Sequence, residues 1–282
     1  MNKIEIYPRV IVYKNVLPDW EKYLNLLKRS ETETPKYFFE EWGDWYGLGT
    51  MMNLPMKNRY MVYDLTSEDE YELMQKQFLE DLTEAYYKCT EDYVISNQIS
   101  LPNWANNGIS ICKYFVSEDY KDMAMSYHTD YRGFDSESPG KKYAITCTIY
   151  LNDDYEGGGL SFLQEETGDV IDYKPEAGDI VVFPSGNPIT GTSNYFHGVD
   201  KVGGKEKYFI RCFWSYDFPG TAEWHKNSEK YGKEEWESME TDRMKKEIKS
   251  GMWHKYIVNP GEKDPEHSQQ TPFFRKNRWR VR

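Results

Sequence analysis

The hydrophobic pattern of the N-terminal part of the chain favours helices over strands. Residues 4–16 have strand character, whereas the next segment, residues 19–30, places its apolar side chains three and four positions apart. That spacing puts them on one face of a helix. A second, longer helix is predicted to run to Tyr87, because residues 67–70 form a capping-box sequence ahead of another amphipathic run. We therefore expect residues 1–105 to form a mixed, mainly helical supporting region.

The pattern then changes to short apolar runs separated by turn residues. These runs predict strands at residues 109–116, 143–151, 160–163, 170–173, 179–183 and 207–215. Strands of this length and spacing are typical of an all-β barrel or sandwich. We assign residues 106–216 to this core domain. Residues 217–282 form a C-terminal extension, with a helix predicted near residues 233–249.

Composition excludes several classes of protein. The formal net charge of −12 argues against a general nucleic-acid binder, because a phosphate backbone would be repelled. No apolar run approaches the length of a membrane span, and the N-terminus lacks a signal-peptide core. The 4 cysteines are widely spaced and form no CxxC pair, so we expect buried free thiols. These features indicate a protein of the reducing cytoplasm without a membrane partner.

Candidate chemistry is concentrated in one tripeptide and one later histidine. In an extended segment, residues i and i+2 point to the same side, so His128 and Asp130 can reach one ion while Thr129 faces away. With His197, they supply two imidazoles and one carboxylate, the facial ligand set of a non-haem iron(II) site. Such a set leaves positions open for a co-substrate and dioxygen. A cupin-like barrel that binds another divalent metal is the alternative.

Several segments follow this motif in a definite order. They are residues 148–152, 157–162, 175–184, 197–199 and 204–211. By the order and spacing of these motifs, residues 109–214 resemble the 2-oxoglutarate/iron(II) dioxygenases, and within them the prolyl 4-hydroxylase-like branch. A looser similarity covers residues 11–17. The resemblance implies that the mainly β core is a double-stranded β-helix, or jelly roll. The hydrophobic pattern adds the flanking N-terminal helices and the C-terminal extension.

The resemblance also implies which residues bind 2-oxoglutarate. In this branch, a Lys or Arg at the position of Lys207 pairs with the distal C5 carboxylate. Arg211 shares the same strand face, and its planar guanidinium matches a carboxylate well, so it is the alternative anchor or a contact to the C1 end. Tyr150 matches a tyrosine that donates a hydrogen bond to the C5 carboxylate. Tyr114 matches one that lies near the bound co-substrate.

The implied activity is hydroxylation of an unactivated C–H bond, coupled to conversion of 2-oxoglutarate into succinate and carbon dioxide. Ascorbate is expected to support turnover. Peptidyl proline is the first candidate substrate, and a small molecule or free amino acid is the alternative. A non-enzymatic, metal-binding cupin-like sensor is the third hypothesis for the function. The proline assignment is questioned by Phe213, which stands where the branch has a Trp, with Trp214 one position later.

Two segments are predicted to form the mouth of the site. Residues 37–46 lack a sustained period, and their glycines and aromatic residues are typical of a surface loop. Residues 131–142, directly after the first ligand pair, are rich in turn formers. We expect Trp42, Trp45 and Tyr131 to form an open rim that suits an extended peptide, because aromatic faces can stack on proline rings. A structural aromatic cluster is the alternative for the first segment.

Overall fold

Antiparallel strands build the core of the protein, and helices cover one side of it. The computed structural model describes residues 1–32, 42–45, 48–54, 70–97, 105–117, 123–130, 143–164, 167–185, 195–215, 222–236 and 238–239. The elements are β1 (Lys3–Tyr7), β2 (Val10–Tyr13), α1 (Trp20–Thr32), β3 (Gly43–Trp45), β4 (Gly49–Leu54), α2 (Glu70–Ser96), β5 (Ala105–Tyr114), β6 (Met123–His128), β7 (Tyr143–Tyr150), β8 (Glu156–Gly157), β9 (Leu160–Leu163), β10 (Val170–Tyr173), β11 (Ile180–Pro184), β12 (Phe196–Asp200), β13 (Val202–Gly203), β14 (Lys207–Ser215) and α3 (Ala222–Tyr231).

Two sheets carry most of these strands. An 8-stranded sheet has the order β1-β2-β11-β7-β14-β5-β4-β3, and a 4-stranded sheet has the order β10-β9-β12-β6. The central strand β14 pairs antiparallel with both β5 and β7, which lie far from it in the sequence. Sheets joined by such crossovers form a jelly roll. The predicted fold class, a mainly β jelly roll with additional helices, is confirmed.

The larger sheet separates two hydrophobic cores. Because successive side chains on a strand point to opposite faces, β14 contributes to both. Its even-numbered residues are buried against helices α1 and α2: Tyr208, Ile210, Cys212 and Trp214. Phe209 points the other way, into the core between the sheets. The N-terminal helices therefore stabilise the back of the sheet, and the space between the sheets remains for a site.

Helix α2 extends further than the pattern predicted. It runs to Ser96 rather than ending at Tyr87, because buried Cys89, Tyr93 and Val94 continue its contact with the sheet. The capping sequence at residues 67–69 lies outside the described residues. The predicted strands are all present, with ends shifted by up to four residues.

The surface-loop prediction is wrong for residues 43–45. They form strand β3, which pairs with β4, and β4 pairs in turn with β5 at the edge of the larger sheet. Trp45 is only 3% exposed, so it does not belong to an open rim. Trp42 packs partly buried on the helix side, where its Nε1 donates to Ser30 Oγ at 3.1 Å. Tyr131 and residues 131–142 lie outside the described residues.

A helix that the pattern did not predict, α3, precedes the C-terminal helix predicted at residues 233–249. Helix α3 ends at Tyr231, and Gly232 follows with φ of +85°, a left-handed conformation that commonly terminates helices. Residues 233–236 form another helical turn. Residue 237 and residues 240–282, which include most of the helix predicted at 233–249, lie outside the described residues.

Two predictions from composition can be compared with the structure. The cysteines Cys89, Cys112, Cys147 and Cys212 are all free and buried, as predicted. Within the described part of the chain, the helices are too short or too polar to serve as membrane spans.

Candidate metal centre and co-substrate pocket

Strands β6 and β12 lie side by side and place two histidines opposite one another. His128, the last residue of β6, is the register partner of His197 on β12. Asp130 lies between them, with Oδ1 at 3.5 Å from His128 Nε2 and Oδ2 at 3.3 Å from His197 Nε2. Ligand atoms at right angles around an ion are roughly 3 Å apart. The structure therefore brings the three predicted ligands together, within 4.8 Å of one another.

Backbone carbonyls set the orientation of both imidazoles. His128 Nδ1 lies 2.8 Å from the Ser126 carbonyl oxygen, and His197 Nδ1 lies 3.0 Å from that of Tyr195. A carbonyl only accepts hydrogen bonds, so Nδ1 carries the proton in each ring. Each Nε2 faces Asp130 and is the atom that would ligate a metal in place of a proton.

Asp130 is held as an ionised carboxylate. Burial favours its protonated form, but the attraction of His197 and the contacts with both imidazoles outweigh burial and hold its pKa well below the ordinary value. Thr146 Oγ1 donates to Asp130 Oδ2 at 2.8 Å and leaves the other oxygen free of this bond. One carboxylate and two neutral imidazoles fit a divalent cation such as Fe(II).

The three ligands open into a pocket between the sheets. The empty space among the residues that line it is about 500 Å³, including the part open to solvent. Aromatic rings form much of the wall: Tyr114 lies 5.0 Å from Trp45 and 5.1 Å from Phe209, measured between ring centroids. The cations Lys207 and Arg211 are polar groups within this largely apolar wall.

Lys207 is a buried cation at one end of the pocket. It is 1% exposed, and its Nζ donates to the Gly158 carbonyl at 2.6 Å and lies 5.0 Å from the centre of the Tyr150 ring. Among the described residues, no carboxylate pairs with it. Burial, and secondarily the charge of Lys174, lowers the pKa of Lys207 to about 7. A bound carboxylate would offset the cost of burying this charge.

A second cation on the same strand face is Arg211. Its guanidinium carbon lies 5.2 Å from the centre of the Trp45 ring and 5.4 Å from that of Phe213. Its Nη2 lies 3.3 Å from Met51 Sδ, a weak acceptor. Arg211 also makes no salt bridge within the described part of the chain. Lys207 and Arg211 thus face the same pocket, as their spacing predicts.

The two predicted tyrosines lie at different places in the pocket. Tyr150 ends β7 and lies beside the Lys207 ammonium, the position expected for a partner in carboxylate binding. Tyr114 ends β5 and packs its ring against Trp45 and Phe209. Burial raises the pKa of both hydroxyls, so both stay protonated and able to donate.

Sequence reasoning did not identify Thr146 as a partner of Asp130. Strand alternation offered a signal, since Thr146, Thr148 and Tyr150 share one face of β7. The position of Phe213 is also clear: it lines the pocket. Trp214 points to the opposite side of the sheet and packs edge-on against Tyr87 at 5.0 Å, so it cannot replace a pocket tryptophan.

Comparisons with known proteins agree with this site. Residues 115–215 match the family model of the 2OG-Fe(II) oxygenase superfamily, and this segment contains His128, Asp130, His197 and Lys207. No curated protein sequence matches the chain. A similar solved structure is the dioxygenase for auxin oxidation from rice, at 14% identity and a TM-score of 0.50, covering 74% of each chain.

Two prolyl hydroxylases are also among the similar structures. The viral collagen prolyl hydroxylase from Paramecium Bursaria Chlorella virus-1 has 14% identity and a TM-score of 0.46, over 73% of this chain and 94% of that one. A Pseudomonas putida prolyl-4-hydroxylase has 16% identity and a TM-score of 0.44, over 73% and 91%. The family match to residues 115–215 supports the 2OG-Fe(II) oxygenase superfamily for this chain, and the likeness to the rice enzyme shows a shared fold.

Proposed function

We propose that this protein is an Fe(II)- and 2-oxoglutarate-dependent dioxygenase that hydroxylates an unactivated C–H bond. The observation that carries the proposal is a pocket that holds both a two-histidine, one-carboxylate ligand set and the buried Lys207, which has no carboxylate partner among the described residues. A protein that only binds a metal gains nothing from an ammonium buried in the same pocket. A co-substrate with a distal carboxylate accounts for both.

Each residue of the pocket has a distinct role in this proposal. His128, Asp130 and His197 hold Fe(II), which with 2-oxoglutarate supplies the oxygen-activating chemistry that yields succinate and carbon dioxide. Lys207 binds the C5 carboxylate through its ammonium, and the Tyr150 hydroxyl donates a second hydrogen bond to it.

The remaining pocket residues support that arrangement. Thr146 holds one oxygen of Asp130, so the carboxylate keeps a single orientation. The rings of Tyr114, Trp45 and Phe209 exclude water from the apolar part of the co-substrate. The buried free thiols and ferrous iron both suit a reducing compartment, and we expect the cytoplasm.

Two classes of substrate are compatible with this reaction. Peptidyl proline is the class implied by the similarity of the motifs to prolyl 4-hydroxylases. A small molecule or free amino acid is favoured by two observations: Trp45 lies inside the pocket rather than on an open rim, and Arg211 adds a second cation there. We rank the small molecule first.

A succinate-release screen tests the activity and the substrate class together. The protein is incubated with Fe(II), 2-oxoglutarate, ascorbate and oxygen, together with proline-containing peptides or small metabolites, and products are examined by mass spectrometry. We expect succinate in proportion to a product that has gained one oxygen atom, with neither formed by a His128→Ala variant. Tight metal binding without any binding of 2-oxoglutarate would instead support the cupin-like sensor.

A further inference from the structure

We propose that Arg211 forms a second anion site in the pocket and binds a carboxylate of the primary substrate. The substrate is therefore inferred to be an anionic small molecule. This inference rests on the proposed function, because it assigns the distal carboxylate of 2-oxoglutarate to Lys207.

Strand geometry keeps the two cations apart. Lys207 and Arg211 lie four residues apart on β14, so their Cα atoms are separated by roughly 13 Å. Phe209 lies between them on the same face, and its ring centre is 5.7 Å from Lys207 Nζ. The two cations therefore offer separate places for anions rather than one shared site.

The register of the sheet places Arg211 toward the metal ligands. Arg211 pairs with Thr148, and the next pocket-facing residue, Phe213, pairs with Thr146. Thr146 donates to Asp130. Arg211 is thus on the metal side of Phe209, and Lys207 is on the far side. A molecule held by Arg211 would therefore lie on the metal side of the pocket.

The surroundings of Arg211 orient its guanidinium but do not neutralise it. Trp45 and Phe213 contact the guanidinium as aromatic neighbours, and Nε is buried without a hydrogen-bond partner among the described residues. Buried N–H groups without an acceptor are costly, so an acceptor supplied by a ligand would be favourable at this position. A carboxylate suits this role because it can accept two parallel hydrogen bonds from a guanidinium.

The acidity of the chain strengthens this argument. The sequence contains 47 Asp and Glu against 35 Lys and Arg, so acidic partners are abundant. Buried Lys113, on the helix side of the same sheet, has two of them: Glu31 at 2.6 Å and Glu206 at 3.4 Å. Among the described residues, neither Lys207 nor Arg211 forms a salt bridge, although both line the pocket.

Calorimetry on the full-length protein, loaded with Mn(II) to prevent turnover, tests this inference. A first titration measures 2-oxoglutarate. A second, at saturating 2-oxoglutarate, uses the standard amino acids and short mono- and dicarboxylic acids, each paired with its primary amide. We expect some acids to bind at least about tenfold more tightly than their amides. Arg211→Gln should abolish that preference and leave 2-oxoglutarate affinity within about twofold, and Arg211→Lys should restore part of it.

Three outcomes would overturn the inference. One is that no acid binds more tightly than its amide. The second is that Arg211→Gln weakens 2-oxoglutarate instead, which would make Arg211 the co-substrate anchor. The third is tight binding of neutral proline peptides that does not depend on Arg211. Failure of the wild-type protein to bind 2-oxoglutarate would overturn the proposed function, and acid–amide titrations without 2-oxoglutarate would then still decide whether Arg211 is an anion site.

Discussion

Cations on the two sides of the larger sheet have opposite surroundings. On the helix side, Lys113 is neutralised by Glu31 and Glu206. On the pocket side, Lys207 and Arg211 face aromatic rings, a backbone carbonyl and a thioether. An arrangement that lowers stability persists when the ligand that completes it is part of function. This contrast supports the proposal that the helix side of the sheet serves stability and that ligands complete the pocket side.

The pocket side should be most sensitive at the metal ligands. Replacing His197 with Ala should abolish iron-dependent turnover, because the loss of a ligand exceeds the roughly 10- to 100-fold effects of losing an outer partner. Metal titration and succinate release measure this, with His225→Ala on α3 as the control. Full activity in a folded His197→Ala protein would remove the third-ligand assignment.

Substitutions on the helix side of the sheet should lower the free energy of unfolding and leave 2-oxoglutarate binding unchanged. Ile210, fully buried on the helix side of β14, accepts a hydrogen bond at its backbone carbonyl from Tyr86. Ile210→Ala should lower the free energy of unfolding by about 2–5 kcal/mol because it leaves a cavity. Denaturant unfolding measures this. The folded variant should keep its 2-oxoglutarate affinity within about twofold; a parallel loss of affinity would contradict the division between the two faces.

Replacing Lys207 should affect 2-oxoglutarate binding and should not lower the stability of the protein. Losing a charge-assisted hydrogen bond costs about 1.5–3 kcal/mol, so Lys207→Ala should weaken 2-oxoglutarate roughly tenfold or more while iron affinity stays nearly unchanged. Removing the unpaired charge should also raise the free energy of unfolding of the ligand-free protein. The control is Lys205→Ala, because Lys205 is exposed and pairs with Asp154. If Arg211→Ala weakens 2-oxoglutarate and Lys207→Ala does not, the two roles must be exchanged.

The 2-oxoglutarate affinity should also depend on pH through Lys207, and this effect should be smaller than that of removing its side chain. The carboxylate binds protonated Lys207, whose pKa in the free protein is lowered to about 7 by burial. Binding should therefore take up a proton and weaken as pH rises, by about threefold between pH 6.5 and 7.5. Because unfolding restores the ordinary pKa, the ligand-free protein should become more stable as pH rises above about 7.

Calorimetry in buffers of different ionisation enthalpy measures this proton uptake. Lys207→Arg keeps its charge throughout this range, so its 2-oxoglutarate affinity should show no such dependence. An equal pH dependence in Lys207→Arg would assign the titration to another group.

The sequence by itself determined the local part of the site and most of the fold. His128 and Asp130 are two residues apart, so nearly extended backbone brings them to one side. The strands of the core carry their own hydrophobic pattern, and their order indicated a jelly roll. Lys207 was placed by its offset from His197 within a recognisable series of motifs. Each of these features can be inferred from the sequence without knowing which strands are neighbours in the sheets.

Only the tertiary structure decided which distant residues complete the pocket. β3 is three residues long, too short to show a hydrophobic period. Trp45 reaches the pocket because β3 pairs with β4 and β4 pairs with β5 at the edge of the larger sheet. Thr146 reaches Asp130 across the space between two sheets. Whether Lys207 and Arg211 have a carboxylate partner among the described residues depends on all of their neighbours in the fold. Non-local strand pairing sets these contacts, and the periodicity within a single segment carries no information about its partners.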